Sequence, residues 1–137
     1  VYLSESDGVL NLKYYDVVSG CHLGIFPSYY EPWGYTPLEC AALGVPSVTS
    51  DLAGFGRYIE KIAVEKSGGI FVLKRFQRNE EDVLKDFTDI LYNFSKLKKP
   101  ERVNQKVIAK ELSLKADWSI LINNYIEAHN LALDRQV

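Results

Sequence analysis

The residues best suited to chemistry are two glutamates, Glu31 and Glu39, which are separated by seven residues in a segment rich in aromatic side chains. Carboxylates accept hydrogen bonds, so they are suited to holding sugar hydroxyls. Gly34 lies between them and allows a ligand to approach the backbone closely. The whole segment reads Ser28-Tyr29-Tyr30-Glu31-Pro32-Trp33-Gly34-Tyr35-Thr36-Pro37-Leu38-Glu39.

A helix that begins inside this segment would position its chemistry. Thr36 is the predicted N-cap of a helix over residues 36–43, with Pro37 at the first helical position and Glu39 as the capping-box partner. Gly44 is the expected C′ residue. The free N–H groups and partial positive charge of a helix N-terminus bind phosphate without a basic side chain. With Glu39 in the first turn, the segment predicts a site for a sugar joined to a nucleotide diphosphate.

Strand and helix patterns alternate along the rest of the chain. Short strands are predicted at 23–27, 47–50 and 70–74, with a turn at Gly68-Gly69. Helices are predicted at 14–20, 36–43, 57–66, 80–97, 100–112 and 116–132, and the last two separate near Ser113. This order is typical of an α/β fold with a Rossmann-like parallel sheet and flanking helices, followed by further C-terminal helices. Ligands bind at the carboxyl ends of such strands, where the loop 28–36 is expected.

Composition excludes several classes of function. Hydrophobic residues make up 47% of the 137 residues, enough for a folded core. The net charge of −2 argues against a general nucleic-acid binder. No apolar run approaches the roughly 20 residues of a membrane span. The two cysteines, Cys21 and Cys40, are interpreted as buried free thiols of a cytoplasmic protein. No cluster of metal ligands is visible, so neither a metal nor another cofactor is expected.

Charge is unevenly distributed. Residues 1–56 carry one lysine against six carboxylates, whereas residues 95–115 carry six lysines and Arg102 against two glutamates. The basic stretch is either a solvated face or a contact for an effector or a glucan. Asp51 is placed to cap the segment that follows it, and Gly54-Phe55-Gly56 is expected to shape a turn near the ligand.

The run GCHLGIFPSYYEPWGYTPLECAALGVPSVTSDLAGFGRYIE resembles retaining glycosyltransferases of the GT-B fold. Within that group it is similar to the glycogen synthase family that uses UDP-glucose. The resemblance extends from about Leu10 over nearly the whole chain, more weakly after this run. The later matches are Gly69-Ile70-Phe71-Val72, Arg75-Phe76, Arg102-Val103-Asn104-Gln105, Asp117-Trp118 and Ala132-Leu133.

The resemblance implies a role for each matching residue of the site. Glu31 would be catalytic, facing the transferred glucose and the reacting centre. The backbone of Trp33 and Gly34 would hold glucose hydroxyls. Three further roles concern the nucleotide. The amides of Tyr35 and Thr36 would bind the distal phosphate, and Glu39 would hold the ribose hydroxyls. Tyr14 would stack on the uracil ring, a role for which the neighbouring Tyr15 is the alternative.

The implied reaction is transfer of glucose from UDP-glucose to the 4-hydroxyl of an α-1,4-glucan with retention of configuration. Retention in this family is usually attributed to front-face attack, in which the leaving diphosphate helps to remove the acceptor proton. The implied partners are therefore a nucleotide-sugar donor and a glucan acceptor, without nucleic acid or membrane. The complete protein could also form a homo-oligomer.

Two departures from the family pattern limit what residues 1–137 can do. Family members use an upstream Lys and Arg on the diphosphate, but here only Lys13 precedes the site. We therefore expect the chain to be the C-terminal nucleotide-sugar-binding domain in part, without the acceptor domain and inactive alone. The arginine-rich effector helix of the family is matched here mainly by lysines, so sugar-phosphate regulation is in question. Its candidate effector-binding residues are Lys98, Lys99, Arg102 and Lys106.

Three alternatives remain open. The chain could belong to another retaining GT-B transferase that uses ADP-glucose or a different acceptor, since uridine and adenosine nucleotides share the ribose and the diphosphate. It could be a non-catalytic nucleotide- or glucan-sensing module. It could also be an interaction domain whose basic helix binds a partner.

Overall fold

A three-stranded parallel sheet organises the chain, for which the computed structural model describes residues 4–63 and 68–135. The strands lie side by side in the same order as in the chain. Gly24 lies opposite Ser47 in the first pair, and Ser47 lies opposite Ile70 in the second. The predicted α/β class with a parallel sheet is confirmed. The strands are β1 Gly24–Ile25, β2 Ser47–Ser50 and β3 Ile70–Leu73.

Helices connect and cover these strands. Because parallel strands require crossover connections, a helix lies between each strand and the next. Two helices connect the strands, and two long helices follow the sheet before a third ends the described chain. The helices are α1 Tyr14–Gly20, α2 Tyr35–Ala42, α3 Gly54–Ile62, α4 Glu80–Lys96, α5 Lys99–Leu114 and α6 Trp118–Asp134.

The two faces of the sheet are covered by different helices. On one face, α2, α3 and α5 enclose a core of Ala41, Phe55, Ile59, Ile70, Ala109, Leu112 and Ala116. On the other face, α4 packs Val83 against Val48 and Leu73. Asn79 is the N-cap of helix α4, and its side chain accepts a hydrogen bond from the Asp82 amide at 2.8 Å. A smaller cluster joins α1 to α2 through Val18, Cys40 and Val45.

The N-cap of helix α2 lies two residues earlier than predicted. It is Gly34, which has φ 107°, so Thr36 is not the cap and Pro37 is the third helical residue. Glu39 consequently lies in the second turn and is not a capping-box partner. A glycine in the left-handed region turns the chain into the helix without a side-chain cap, and proline is tolerated through the first turn because amides there lack intrahelical partners.

The end of α2 confirms the expected role of Gly44. This residue has φ 72°, and its amide donates to the Ala41 carbonyl at 2.9 Å. The Val45 amide donates to the Cys40 carbonyl at 2.8 Å. These two bonds form a Schellman motif, which turns the chain directly into β2.

Other boundaries differ modestly from the prediction. Helix α3 begins at Gly54, not at residue 57, and its predicted extension over 64–66 lies outside the described residues. The break between α5 and α6 lies after Leu114, next to the predicted break near Ser113, and the Asp117 side chain caps α6 on the Ser119 amide. Across 4–63 and 68–135, every helix is too short or too polar to cross a membrane.

Candidate functional site

The loop that carries Glu31, residues 28–36, is held by backbone hydrogen bonds to residues 52–55. We call these the carboxylate loop and the clamp segment. The Glu31 amide donates to the Leu52 carbonyl at 3.3 Å, and the Gly54 amide donates back to the Glu31 carbonyl at 3.0 Å. The Phe55 amide donates to the Trp33 carbonyl at 2.7 Å. Glu31 and Ala53 form an isolated parallel bridge. The loop therefore has a fixed backbone although it lies outside the sheet.

Position 54 requires glycine because the clamp segment and the carboxylate loop approach each other closely there. A Cβ added at Gly54 would lie 2.2 Å from the Pro32 carbonyl oxygen, far inside any allowed contact. The two glycines at 54 and 56 therefore allow close packing and do not shape the expected turn. They are the first and third residues of α3, packed against backbone. Sequence reasoning expected a turn here, and the contact with Pro32 is invisible without the fold.

Glu31 and the start of α2 share one small cavity at the carboxyl end of β1. Its volume is about 60 Å³. Glu31, Gly34 and Thr36 are all among the residues that line it, so the structure brings together three of the predicted site residues. The complete lining is Phe26, Ser28, Glu31, Gly34, Thr36, Pro37, Thr49 and Ala53.

Helix α2 presents its first amides beside this cavity. Tyr35 and Thr36 are the first two helical residues, and both are exposed. Amides in the first turn have no intrahelical acceptor and carry the positive end of the helix dipole. An anion placed at this end would be bound by backbone alone.

Tyr14 and Glu39 are brought into contact by the packing of α1 on α2. The Tyr14 hydroxyl donates to Glu39 Oε2 at 3.4 Å. Burial raises the pKa of the Tyr14 phenol, and the neighbouring charge of Glu39 raises it further, so the hydroxyl keeps its proton. The Tyr15 ring lies against Tyr14 at 5.3 Å between centroids and is 55% exposed. Tyr14 therefore borders Glu39, and its neighbour Tyr15 has the more accessible ring.

The Trp33 side chain packs into the protein. Its ring centroid lies 5.7 Å from that of Phe55 and 5.6 Å from that of Tyr58. The indole therefore fixes the carboxylate loop on α3, while the Trp33 carbonyl already accepts the Phe55 amide. Gly34, which follows Trp33, lines the cavity, whereas Trp33 is not among the residues that line it.

A charged cluster missed by sequence reasoning supports the beginning of the loop. Arg75 lies over the Tyr29 ring at 3.6 Å and donates to the Pro27 carbonyl at 2.6 Å. Asp51 does not cap α3 as expected. Its Oδ1 accepts from the Arg75 amide at 2.8 Å. The only sequence signal was the position of these polar groups after β2 and β3, which a parallel sheet places at one edge.

The four basic candidates for an effector site are not equally placed. Lys98 and Lys99 are exposed at the start of α5, where the Lys98 amide donates to Glu101 at 2.6 Å. Arg102 and Lys106 are half-buried on the same helix. Of the four, Arg102 lines a cavity of about 490 Å³ that it shares with His22 and Cys21.

The cysteines differ from their predicted burial. Cys40 is a buried free thiol as expected, and burial, with smaller contributions from Cys21 and Glu39, raises its pKa to about 11. Cys21 is free but exposed, which corrects the prediction, because it follows the last residue of α1 at the surface. Within the described residues, no group of three or more His, Cys, Asp or Glu is arranged to hold a metal ion.

Comparison with known proteins extends over the whole chain. Residues 1–137 match the family model described as glycogen synthase. The chain is 42% identical over 135 residues to the glycogen (starch) synthase of Neurospora crassa and to the liver form of Homo sapiens. It is 39% identical over 137 residues to isoform 2 of Saccharomyces cerevisiae. Each alignment covers 98% of this chain and 19% of the relative, so the chain spans less than a quarter of the proteins it matches.

Proposed function

This chain belongs to the glycogen synthase family, and we propose that it supplies the donor-binding half of a retaining glucosyltransferase. The complete protein would transfer glucose from UDP-glucose to the 4-hydroxyl of an α-1,4-glucan in the cytoplasm. Residues 1–137 are then part of its C-terminal nucleotide-sugar-binding domain. The acceptor-binding half and the Lys/Arg pair expected from family resemblance would come from elsewhere in the complete protein.

The observation that carries this proposal is the shared cavity at the carboxyl end of β1. Glu31, Gly34 and Thr36 meet there beside the first amides of α2. A glycosyl diphosphate needs an anion site next to a sugar site, and this arrangement offers a helix N-terminus next to a carboxylate. The clamp segment fixes the backbone of that site at Glu31 and Trp33.

We propose the following roles within the site. The amides of Tyr35 and Thr36 hold the diphosphate, and the backbone at Gly34 and Trp33 approaches the glucose. Glu39 accepts hydrogen bonds from the ribose hydroxyls. Its contact with Tyr14 at 3.4 Å supports placing the base next to that tyrosine, since ribose and base are adjacent in the nucleotide.

In this scheme Glu31 acts by position and charge. Cleavage of the bond between glucose and diphosphate leaves positive charge on the sugar and negative charge on the leaving group. A fixed carboxylate stabilises the former, and the α2 amides stabilise the latter. The departing diphosphate takes the proton of the acceptor hydroxyl, which attacks from the same face, so the sugar keeps its configuration. Alignment of donor and acceptor supplies much of the remaining rate.

Turnover by the complete protein tests this proposal. Glu31→Gln keeps the shape of the side chain and removes its charge, and we expect kcat with UDP-glucose to fall about 1,000-fold. Glu127→Gln removes an exposed carboxylate of α6 and should leave kcat within about twofold. Full activity in Glu31→Gln would contradict the role of Glu31. Wild-type protein that binds UDP-glucose without turnover would instead support a sensing module, and preference for ADP-glucose would favour the alternative transferase.

The basic segment of α5 is a second candidate site within the same protein. We propose that Lys98, Lys99, Arg102 and Lys106 attract an anionic effector. The cavity of about 490 Å³ next to Arg102 and His22 favours Arg102 as its main contact. Arg102→Gln should then remove activation by a sugar phosphate and leave the unstimulated rate unchanged. Equal activation of wild type and variant would exclude Arg102 from that role.

A further inference from the structure

Thr49 carries a buried hydroxyl that lacks a partner. It lies within β2, is 1% exposed, and its Oγ1 makes no hydrogen bond to any described residue. The neighbouring buried hydroxyls are paired, since Ser47 donates to the Pro37 carbonyl at 3.3 Å and Ser50 donates to the Ser28 carbonyl at 2.6 Å. Native proteins retain few unpaired buried polar groups, and each one calls for an explanation.

The side chain of Thr49 lies at the cavity that contains Glu31. Thr49 is one of the residues lining that space of about 60 Å³. Its methyl group lies toward α3, where a Cβ added at Gly56 would come within 3.2 Å of Cγ2, so the hydroxyl occupies the part of the side chain that faces away from Gly56. The strand register supports this orientation, because Thr49 pairs with Val72, which packs on the face covered by α3.

The cavity has the size and the lining to hold water. A water molecule needs roughly 10–15 Å³ of accessible volume and two to four polar partners. Thr49, Glu31, Ser28 and Thr36 supply polar groups, while Phe26, Pro37 and Ala53 close the walls. An ionised carboxylate only accepts hydrogen bonds, so a donor must lie between it and any hydroxyl that is too distant to bond directly.

We propose that an ordered water in this cavity links Thr49 Oγ1 to the Glu31 carboxylate, which makes Thr49 a positioning residue for Glu31. The Thr49 hydroxyl donates to the water, and the water donates to Glu31. The water thereby holds one carboxylate oxygen of Glu31 in a fixed position relative to β2, the central strand of the sheet. The kinetic consequence rests on the proposed function of Glu31, whereas the water itself does not.

The first experiment is kinetic and uses the complete protein. Thr49→Val keeps the shape and removes the hydroxyl, and Thr49→Ser keeps the hydroxyl. We expect Thr49→Val to lower kcat about tenfold with the KM for UDP-glucose within about twofold, because a carboxylate held less firmly affects the transition state more than donor binding. Thr49→Ser should recover kcat to within about twofold. Unchanged kcat in Thr49→Val, or failure of Thr49→Ser to recover it, would overturn the positioning role.

The second experiment is a crystal structure of the complete wild-type protein at a resolution that shows ordered water. We expect a water within about 3.2 Å of both Thr49 Oγ1 and a Glu31 carboxylate oxygen. Absence of such a water, or an oxygen of bound donor in its place, would overturn the assignment. If the water is present but Glu31→Gln keeps full turnover, the proposed role of Glu31 has failed and the water link stands.

Discussion

The carboxylate loop and helix α6 differ in how regular secondary structure relates to contacts with the rest of the molecule. The loop has no regular secondary structure before Tyr35, yet three backbone hydrogen bonds to the clamp segment fix it. Helix α6 is fully regular, yet none of its 17 residues is buried. Rigidity at the candidate site therefore comes from contacts between distant segments and not from helix or strand. A site that must hold a charged ligand in one geometry benefits from that kind of support.

The largest expected effect comes from a substitution that separates the carboxylate loop from the clamp segment. Gly54→Ala places a Cβ 2.2 Å from the Pro32 carbonyl oxygen, so the clamp segment and the loop must separate. We expect the free energy of unfolding to fall by about 3 kcal/mol, because the atom in the way belongs to the backbone and not to a flexible side chain. Urea unfolding of this chain measures the change.

Gly20→Ala is the matched control for that substitution. Nothing lies within 4 Å of a Cβ added at Gly20, and it ends α1 without a positive φ. We expect a change of less than about 0.5 kcal/mol. Similar losses in both variants would mean that the clamp segment does not hold the loop.

A smaller loss of stability is expected from a substitution where the core meets the C-terminal helices. The Tyr58 hydroxyl on α3 donates to the Lys115 carbonyl at 2.6 Å, at the junction of α5 and α6. Tyr58→Phe removes this bond and should lower the free energy of unfolding by about 1 kcal/mol. Trp33 packing on the Tyr58 ring is kept in this variant, so the loop should be unaffected.

The same hydroxyl gives a pH dependence of known sign. Burial raises the pKa of Tyr58 above its ordinary value of 10.0, so the folded chain binds this proton more tightly than the unfolded chain. Its contribution is present below pH 10 and is lost as the pH rises through the folded value. Urea unfolding between pH 9 and 11 should show a decline that is shallower in Tyr58→Phe. An identical decline in both proteins would assign it to other groups, of which Tyr14 is one.

The smallest expected effect lies on α6. Leu133 is 65% exposed, and Leu133→Ser should change the free energy of unfolding of this chain by less than about 0.5 kcal/mol. Phe55→Ala, in the core beside the loop, should cost about 3–5 kcal/mol under the same conditions. A loss above about 1 kcal/mol for Leu133→Ser would mean that this exposed side chain of α6 contributes to stability, contrary to our expectation.

The sequence predicted what depends on local pattern. The second strand lies at residues 47–50 as predicted, and Gly44 ends α2 because left-handed backbone favours glycine. The start of α2 was missed because Gly34 caps by backbone conformation, which leaves no polar side chain to recognise. The clamp segment, the Arg75 cluster and the unpaired hydroxyl of Thr49 were missed because each depends on contacts between residues far apart in the chain.

Among the candidate site residues too, some lie together because they are close in sequence, and others because distant segments pack together. The pairing of Glu31 with Thr36 around one cavity follows from their closeness in sequence and the parallel fold. The contact of Tyr14 with Glu39, 25 positions apart, follows only from the packing of α1 on α2. Family resemblance placed Tyr14 and Glu39 on one nucleotide, and the packing brings them within reach of a single ligand. Their roles remain predictions.

Calorimetric titration of the complete protein with UDP, ADP and pyrophosphate tests the central claim most directly. We expect UDP to bind more tightly than ADP, and both Glu39→Ala and Tyr14→Ala to weaken UDP binding about tenfold without changing pyrophosphate binding. Tyr15→Ala is the matched control and should leave UDP binding within about twofold. Equal binding of UDP and ADP, or variants that weaken UDP and pyrophosphate alike, would contradict a ribose and uracil site at Glu39 and Tyr14.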